Sequence, residues 1–143
     1  MKKVEWQDKY TLGIDLIDSH HRQLIDLLNR TYSAISLDRR EDEIGRIFDE
    51  LMRYTEYHLT TEEELMKETG YSRMYSHVSE HEMFKSKLNE LQNSQLASDS
   101  KYYTGVIYFL EEWLLSHILL IDKEFAEFVI ASKLAESTSA TVK

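Results

Sequence analysis

The histidines of this chain fall at positions from which they could bind a metal. Five of the six histidines, together with one glutamate and one aspartate, lie on four separate stretches with helical periodicity. His58 precedes Glu62 by four residues, and His77 precedes His81 by the same spacing. Side chains four residues apart lie on one face of a helix, with Cβ atoms about 5–6 Å apart. Each pair could therefore bind one metal centre.

Three more residues complete the candidate set: His21 on the first stretch, and His117 and Asp122 on the last. Seven nitrogen and oxygen ligands exceed the four of a tetrahedral ion, and they suit a pair of metals inside a helix bundle. The candidate metal ligands are His21, His58, Glu62, His77, His81, His117 and Asp122.

Each part of this set also has a simpler interpretation. His58 and Glu62 could form a surface ion pair, and a single buried histidine is usually a hydrogen-bonded core residue. Asp122 lies about 140° further round an α-helix than His117, so it could be a plain helix-end residue or a bridging ligand. The metal interpretation is favoured because Glu62 lies on an apolar stripe, where an unpaired carboxylate costs several kcal/mol.

Two adjacent histidines compete for the inward position on the first helix. The apolar stripe through Ile17, Leu24 and Leu28 favours His21. We therefore expect His20 to point aside and face solvent. The alternatives are a hydrogen bond near the metal or a role in relaying protons.

The elements that would carry these residues are all helices. The chain has no proline and four glycines, a composition that favours long helices. The sequence predicts an irregular lead-in over residues 1–17, a helix starting between Asp15 and Ser19, and a polar break over 37–41. A second helix should run from about Asp42 to a stop at Gly70.

A third helix is predicted from about Ser72 to Gln92, followed by a Ser- and Asn-rich loop over 93–100. A fourth should start near Ser98 or Asp99 and carry His117 inward, and a short continuation or fifth helix should reach Leu134. No segment alternates with the period of a strand. We predict an all-α, up-down-up-down four-helix bundle with an N-terminal loop and a short C-terminal helix. The domain would span 1–134, with a polar, frayed tail over 135–143.

An up-down bundle brings residues late in helices two and four level with residues early in helices one and three. The candidate ligands follow that arrangement, since a helix rises about 1.5 Å per residue. We therefore expect all seven to meet at one depth in the interior.

Composition excludes several classes of function. The net charge of −9 argues against nucleic acid and against anionic lipid, and a chain without cysteine has no disulfide or thiolate site. The start MKKVEWQDKYTLG lacks the apolar stretch of a secretory signal. The longest apolar run, over 113–121, is interrupted and too short to cross a bilayer. We expect one soluble cytoplasmic domain without membrane insertion.

The sequence resembles the hemerythrins, in particular the single-domain bacterial hemerythrins, over about residues 4–130. The matching segments are Ile17-Asp18-Ser19-His20-His21, His58-Leu59-Thr60-Thr61-Glu62-Glu63, His77 and His81 with Phe84, and Trp113-Leu114-Leu115-Ser116-His117-Ile118 with Asp122. Trp6 and the Gly13-Ile14 pair also fit the family's N-terminal loop.

This resemblance implies a non-haem di-iron site, with two iron ions bridged by an oxo or hydroxo group and with O2 as ligand. By the family pattern, one iron would be held by His77, His81 and His117 and the other by His21 and His58. Glu62 and Asp122 would bridge them. The O2 pocket implied by the family pattern is lined by Leu24, Leu59, Trp113, Leu114 and Ile118.

The resemblance implies reversible dioxygen binding for transport, storage or delivery, and not an enzyme. Two alternatives stay open: an O2 or redox sensor acting through a signalling partner, and a di-iron peroxidase or nitric oxide-handling enzyme. An oxygen-using enzyme is a candidate partner, and zinc or manganese could replace iron. The chain departs from the family at His20, where Gln is frequent, and at Leu59, where Phe is common. The smaller Leu59 could widen the path to the iron.

Overall fold

Four long helical rods make up the computed structural model, which describes the backbone of residues 3–92 and 100–142 and the side chains of 3–91 and 102–133. Helix α1 covers Asp15–Ser36, α2 covers Glu41–Thr69 and α3 covers Met74–Gln92. The fourth rod is continuous: α4 (Ser100–Ser116), a π-helical turn (His117–Asp122) and α5 (Lys123–Val142). Neighbouring rods pack in the order α1–α2–α3–α4 and back to α1. The predicted all-α bundle is confirmed, and the described residues contain no strand.

The observed helix ends match some predicted boundaries and differ from others. Helix α2 ends where predicted, with Gly70 in the left-handed region at φ 66°, a conformation that glycine adopts at little cost. Helix α3 starts at Met74, two residues later than predicted. The loop was predicted over 93–100, and its last residue already belongs to α4, which begins at Ser100. The rest of that loop and a helix start at residue 98 or 99 lie outside the described residues. Helix α5 continues to Val142, past the boundary suggested at residue 134.

The N-terminal loop is fastened to the first turn of α1. The Asp18 carboxylate accepts hydrogen bonds from the backbone N–H groups of Leu12, at 2.8 Å, and Gly13, at 3.1 Å. No side chain caps the helix itself. Gly13 has φ 92°, and a Cβ there would lie 3.2 Å from Ile130 Cδ1. The loop is thus held against the turn that carries His20 and His21.

Two apolar clusters divide the bundle interior along its length. One includes Leu24, Leu28, Leu51, Leu59, Phe84, Leu110, Leu114 and Ile118. The other includes Ile14, Ile17, Met66, Tyr71, Phe125, Ala126 and Val129. On α1, His21 falls between Ile17 of the second cluster and Leu24 of the first, and on α2 Glu62 falls between Leu59 and Met66. The candidate ligands therefore occupy a polar layer between two apolar ones.

The fourth rod is long and apolar enough over Tyr102–Lys133 to cross a membrane by length and composition alone. Part of its apolar surface packs in the core of this fold, because Val106, Ile107, Leu110 and Phe125 are buried in the bundle interior. A core helix of this kind is expected to be apolar along its inward face.

Candidate metal centre

Five imidazoles turn their Nε2 atoms into the polar layer. The Nε2 atom of His117 lies 3.1 Å from that of His77 and 3.1 Å from that of His81. His21 Nε2 lies 2.9 Å from Asp122 Oδ2, and His58 Nε2 lies 2.8 Å from Glu62 Oε1. The structure brings together all seven candidate ligands, and each of them is buried.

These separations match those expected of ligand atoms around a shared ion. Two nitrogens at about 2.1 Å from a metal and at right angles to each other are about 3.0 Å apart. Hydrogen bonding is a poor alternative for His77, His81 and His117, because a neutral imidazole has one proton and three Nε2 atoms meet here. The donor set of imidazole and carboxylate suits iron, zinc or manganese.

The donors fall into two groups that share both carboxylates. Glu62 and Asp122 group with His77, His81 and His117 on one side, and with His21 and His58 on the other. Within each group the ligand atoms lie within 4.8 Å of one another. Two adjacent metal positions bridged by two carboxylates fit this arrangement, and one position has one protein donor fewer than the other.

Unsatisfied polar atoms concentrate at this site. Among the described residues, nine buried side-chain nitrogen or oxygen atoms have no hydrogen-bond partner, and eight of them belong to the seven candidate ligands. The exception is the indole nitrogen of Trp6. Each such atom costs about 1–3 kcal/mol when left unpaired. Both Glu62 oxygens, His58 Nε2 and Asp122 Oδ1 are in this set, so bound cations would satisfy atoms that the protein does not.

Burial sets the protonation of the donors. Burial, followed by the charges of His117 and His77, lowers the pKa of His81 to about 3. Burial and His21 likewise lower the pKa of His58 well below its usual value. Both rings are therefore neutral at pH 7, which is the form that binds metal.

The two carboxylates have opposite environments. Burial and the neighbouring Asp122 raise the pKa of Glu62. Burial also acts to raise the pKa of Asp122, but the charge of His117 and the adjacent His21 and His77 rings outweigh it, and the pKa falls. In the metal-free protein the pair thus avoids having two adjacent negative charges.

The π-helical turn explains how Asp122 reaches the site. In an α-helix Asp122 would point away from the direction of His117, but Asp122 Oδ1 lies 2.9 Å from His117 Nε2. Residues His117–Asp122 form a π-helix, in which i→i+5 hydrogen bonds place residues five apart nearly above one another. The helix-end interpretation of Asp122 is thereby excluded, since its side chain is fully buried.

The expectation that His20 faces solvent is wrong. His20 is buried, with 5% of its surface exposed, and its Nδ1 lies 3.0 Å from His58 Nδ1. Its ring also packs against Tyr54 and Tyr57, with centroids 5.6 and 5.2 Å away. These two tyrosines cover the ring from the side of α2, a contact that the periodicity of α1 alone does not predict.

The residues predicted to line an O2 pocket lie next to the site. Leu24, Leu59, Leu114 and Ile118 are buried in one apolar cluster, and Trp113 packs against it while partly exposed. The Trp113 ring stacks between His117, at 4.3 Å, and Phe84, at 4.0 Å. The residues on this side of the polar layer are apolar, and whether they bind O2 stays a prediction.

One further polar residue near the centre was not identified from the sequence. Glu63 Oε2 lies 3.8 Å from His81 Nδ1, on the side of the ring away from the other candidate ligands. Its position directly after a candidate ligand was the available signal, but a helical count turns it about 100° from Glu62.

Comparison with known proteins agrees with this geometry. The family model for the Hemerythrin HHE cation binding domain matches residues 12–129. The chain is 32% identical over 126 residues to a bacteriohemerythrin of Clostridium acetobutylicum, covering 85% of this chain and 98% of that protein. It is 35% identical to a bacteriohemerythrin of Stenotrophomonas maltophilia, covering 92% and 84%. A bacteriohemerythrin of Aquifex aeolicus is 30% identical, with coverage of 81% and 89%.

Proposed function

Since this chain belongs to the hemerythrin family, we propose that it binds dioxygen reversibly at a pair of iron ions held by the seven buried ligands. The observation that carries this proposal is the pair of unequal ligand groups that share Glu62 and Asp122. One group adds three imidazoles to the carboxylates and the other adds two. The position with fewer protein donors leaves room for a small ligand.

The chain would hold the iron at His77, His81 and His117 on one side and at His21 and His58 on the other, with Glu62 and Asp122 common to both. When bound, an iron pair supplies the electrons and the open position for dioxygen. The protein supplies five neutral imidazoles and only two carboxylates. This low negative charge gives little support to highly oxidised iron, and it favours reversible binding over cleavage of the O–O bond.

The apolar surroundings support the same function. Leu24 and Ile118 are almost completely buried and belong to the cluster that closes one side of the metal layer. Such a lining limits access of water and protons to the site, which slows the oxidation of a ferrous pair. We therefore propose a binding protein for dioxygen transport, storage or delivery instead of an enzyme. The cytoplasmic location stays a prediction from the sequence.

The test is anaerobic reduction of the iron-loaded protein followed by exposure to air and then to vacuum. We expect two iron ions per chain and a visible charge-transfer band that appears with oxygen and disappears on its removal. Zinc-loaded protein is the matched control, because zinc has no redox chemistry. Immediate oxidation without a reversible band would overturn the proposal in favour of a sensor or an enzyme, and sustained turnover of peroxide or nitric oxide would favour the enzyme.

A further inference from the structure

His20 lies directly behind one of the proposed metal ligands. Its Nδ1 is 3.0 Å from Nδ1 of His58, and the two ring centroids are 5.2 Å apart. The opposite edge of the His58 ring faces the metal layer, because His58 Nε2 lies 2.8 Å from Glu62 Oε1. The His58 ring is therefore held between the metal layer and His20.

The positions of the ring protons follow from this contact. A nitrogen that binds a metal has no proton, so a neutral His58 that binds through Nε2 carries its proton on Nδ1. Two Nδ1 atoms at 3.0 Å share one proton. His58 Nδ1–H is then the donor and His20 Nδ1 the acceptor, and the proton of neutral His20 lies on its Nε2.

This support is specific to His58. In the described part of the chain, the Nδ1 atoms of the other four imidazoles are buried without a hydrogen-bond partner: His21, His77, His81 and His117. His81 Nδ1 has only Glu63 Oε2 at 3.8 Å, beyond hydrogen-bonding distance. One of the two proposed metal positions thus has an imidazole ligand that is hydrogen-bonded to another side chain. The imidazoles of the other position have no such hydrogen bond.

Tyr54 and Tyr57 hold the His20 ring in place. Their rings contact it from α2 and contact each other at 5.7 Å. Tyr57 is itself 57% exposed, so it stands between His20 and solvent. The acceptor nitrogen is therefore kept in an ordered and shielded position.

We propose that His20 is a positioning residue: it fixes the tautomer and ring orientation of His58 and selectively strengthens the metal position formed by His21, His58, Glu62 and Asp122. A hydrogen bond behind a ligating histidine raises the basicity of the ligand, and its loss typically costs about 10- to 100-fold in metal affinity. The inference rests on the proposed metal pair and not on dioxygen binding.

The experiment is a zinc titration of the metal-free protein with calorimetric detection, comparing wild type, His20→Leu and His20→Gln. We expect His20→Leu to weaken one of the two zinc-binding steps by about 10- to 100-fold and to leave the other unchanged. His20→Gln should restore most of the lost affinity, because its side-chain oxygen can accept the same hydrogen bond. Equal weakening of both steps, an unchanged titration, or a Gln variant that behaves like Leu would overturn the proposal.

A second measurement needs no variant. In ¹⁵N-labelled, zinc-loaded wild-type protein, nuclear magnetic resonance should show His58 protonated at Nδ1 and a scalar coupling across the hydrogen bond to His20 Nδ1. A His58 ring without a proton on Nδ1 would contradict the proposed hydrogen bond to His20. Suppose that wild type binds two zinc ions and shows this coupling, but that its iron form does not bind oxygen. That result would overturn the proposed function and retain the role of His20. Wild type that binds fewer than two zinc ions would overturn both.

Discussion

Among the candidate ligands, Glu62 has the most side-chain atoms without a hydrogen-bond partner in the metal-free protein. Both its oxygens are buried without a hydrogen-bond partner, and burial together with Asp122 raises its pKa. A raised pKa means that folding disfavours the carboxylate relative to the unfolded chain, and glutamine removes this cost, whereas a pair of metals would lose a shared ligand. Glu62→Gln should therefore leave the metal-free protein at least as stable while reducing bound metal from two ions per chain to one or fewer.

Metal analysis and thermal melting of chelated samples check this prediction. Glu64→Gln is the matched control, because Glu64 is an exposed glutamate on the same helix and its loss should change neither quantity. Full occupancy by two ions in Glu62→Gln would show that Glu62 is not a shared ligand.

The buried imidazoles make the stability of the metal-free protein depend on pH. The pKa of His81 falls to about 3 and that of His58 falls well below its usual value, in both cases mainly through burial. In the unfolded chain both rings titrate near 6.5. Below that pH the unfolded state binds more protons than the folded state, so stability falls as pH decreases, by up to about 1.4 kcal/mol per pH unit for each ring.

Urea unfolding of chelated protein between pH 7.5 and pH 5 measures this slope. The raised pKa of Glu62 acts in the opposite direction, because the folded state then binds the extra proton. Glu62→Gln should accordingly make the dependence steeper. A free energy of unfolding that stays constant through this range would contradict the neutral, buried state of His58 and His81.

Residue types and spacing were sufficient to predict which candidate ligands on the regular α-helices meet. His58 and Glu62, or His77 and His81, meet because four residues make slightly more than one helical turn. His20 could not be placed in the same way, because its burial depends on Tyr54 and Tyr57 of another helix. Helical periodicity describes one helix at a time. Contacts between helices decide whether a residue at the edge of an apolar stripe, such as His20, is buried.

At the scale of elements, the π-helical turn is the feature that the sequence did not indicate. With α-helical geometry, Asp122 would point away from His117. The six residues His117–Asp122 form a π-helix instead, which brings Asp122 beside His117. A π-helical turn corresponds to one residue more than the α-helix requires. Deletion of that residue should convert the turn to α-helix and place the aspartate four residues after His117, still on the same face.

Leu120 is the suitable residue to delete, because it is 69% exposed within the turn. We expect this deletion to retain two bound metals and the helical circular dichroism. Deletion of the exposed Glu112 in α4 is the control, since it rotates His117 and every later residue by about 100° and should abolish metal binding. If deletion of Leu120 abolished binding as completely, the extra residue would be essential to the site.

Helices α2 and α3 leave a cleft between them through which oxygen would reach the apolar side of the candidate metal centre. A cleft of about 320 Å³ is lined by Leu59, Phe84, Thr55 and Leu88 among others, and Leu59 follows the candidate ligand His58. Leu59→Phe should fill the inner end of this cleft and slow both oxygen binding and oxidation by several-fold. Stopped-flow mixing of ferrous protein with oxygen tests this.

Thermal melting must accompany that measurement, because overpacking a core costs about 1–3 kcal/mol. Leu59→Ile, which conserves volume, is the control and should leave the rates near those of wild type. Unchanged rates in a stable Leu59→Phe variant would show that oxygen reaches the centre by another route.

At the scale of the whole molecule, the polar layer interrupts the core without being required for the fold. The apolar clusters on its two sides draw on the same rods: Leu24 and Ile17 from α1, and Leu114 and Phe125 from the fourth rod. Both clusters thus pack the rods against one another on either side of the polar layer. This explains why the fold class and the helix order were predictable from amphipathic patterns alone. Whether the polar layer binds metal depends instead on the candidate ligand side chains within it.

The effect of removing metal follows from this division. Chelation should leave the helical circular dichroism nearly unchanged at 25 °C, because the two apolar clusters persist, but it should lower the melting temperature. A ligand at 1,000 times its dissociation constant adds about 4 kcal/mol, and each kcal/mol corresponds to about 2–4 °C in a domain of about 150 residues. We therefore expect the melting temperature to fall by roughly 10 °C, and re-addition of metal should restore it. Loss of the helical signal on chelation at 25 °C would instead mean that the metal layer, and not the apolar clusters, holds the four rods together.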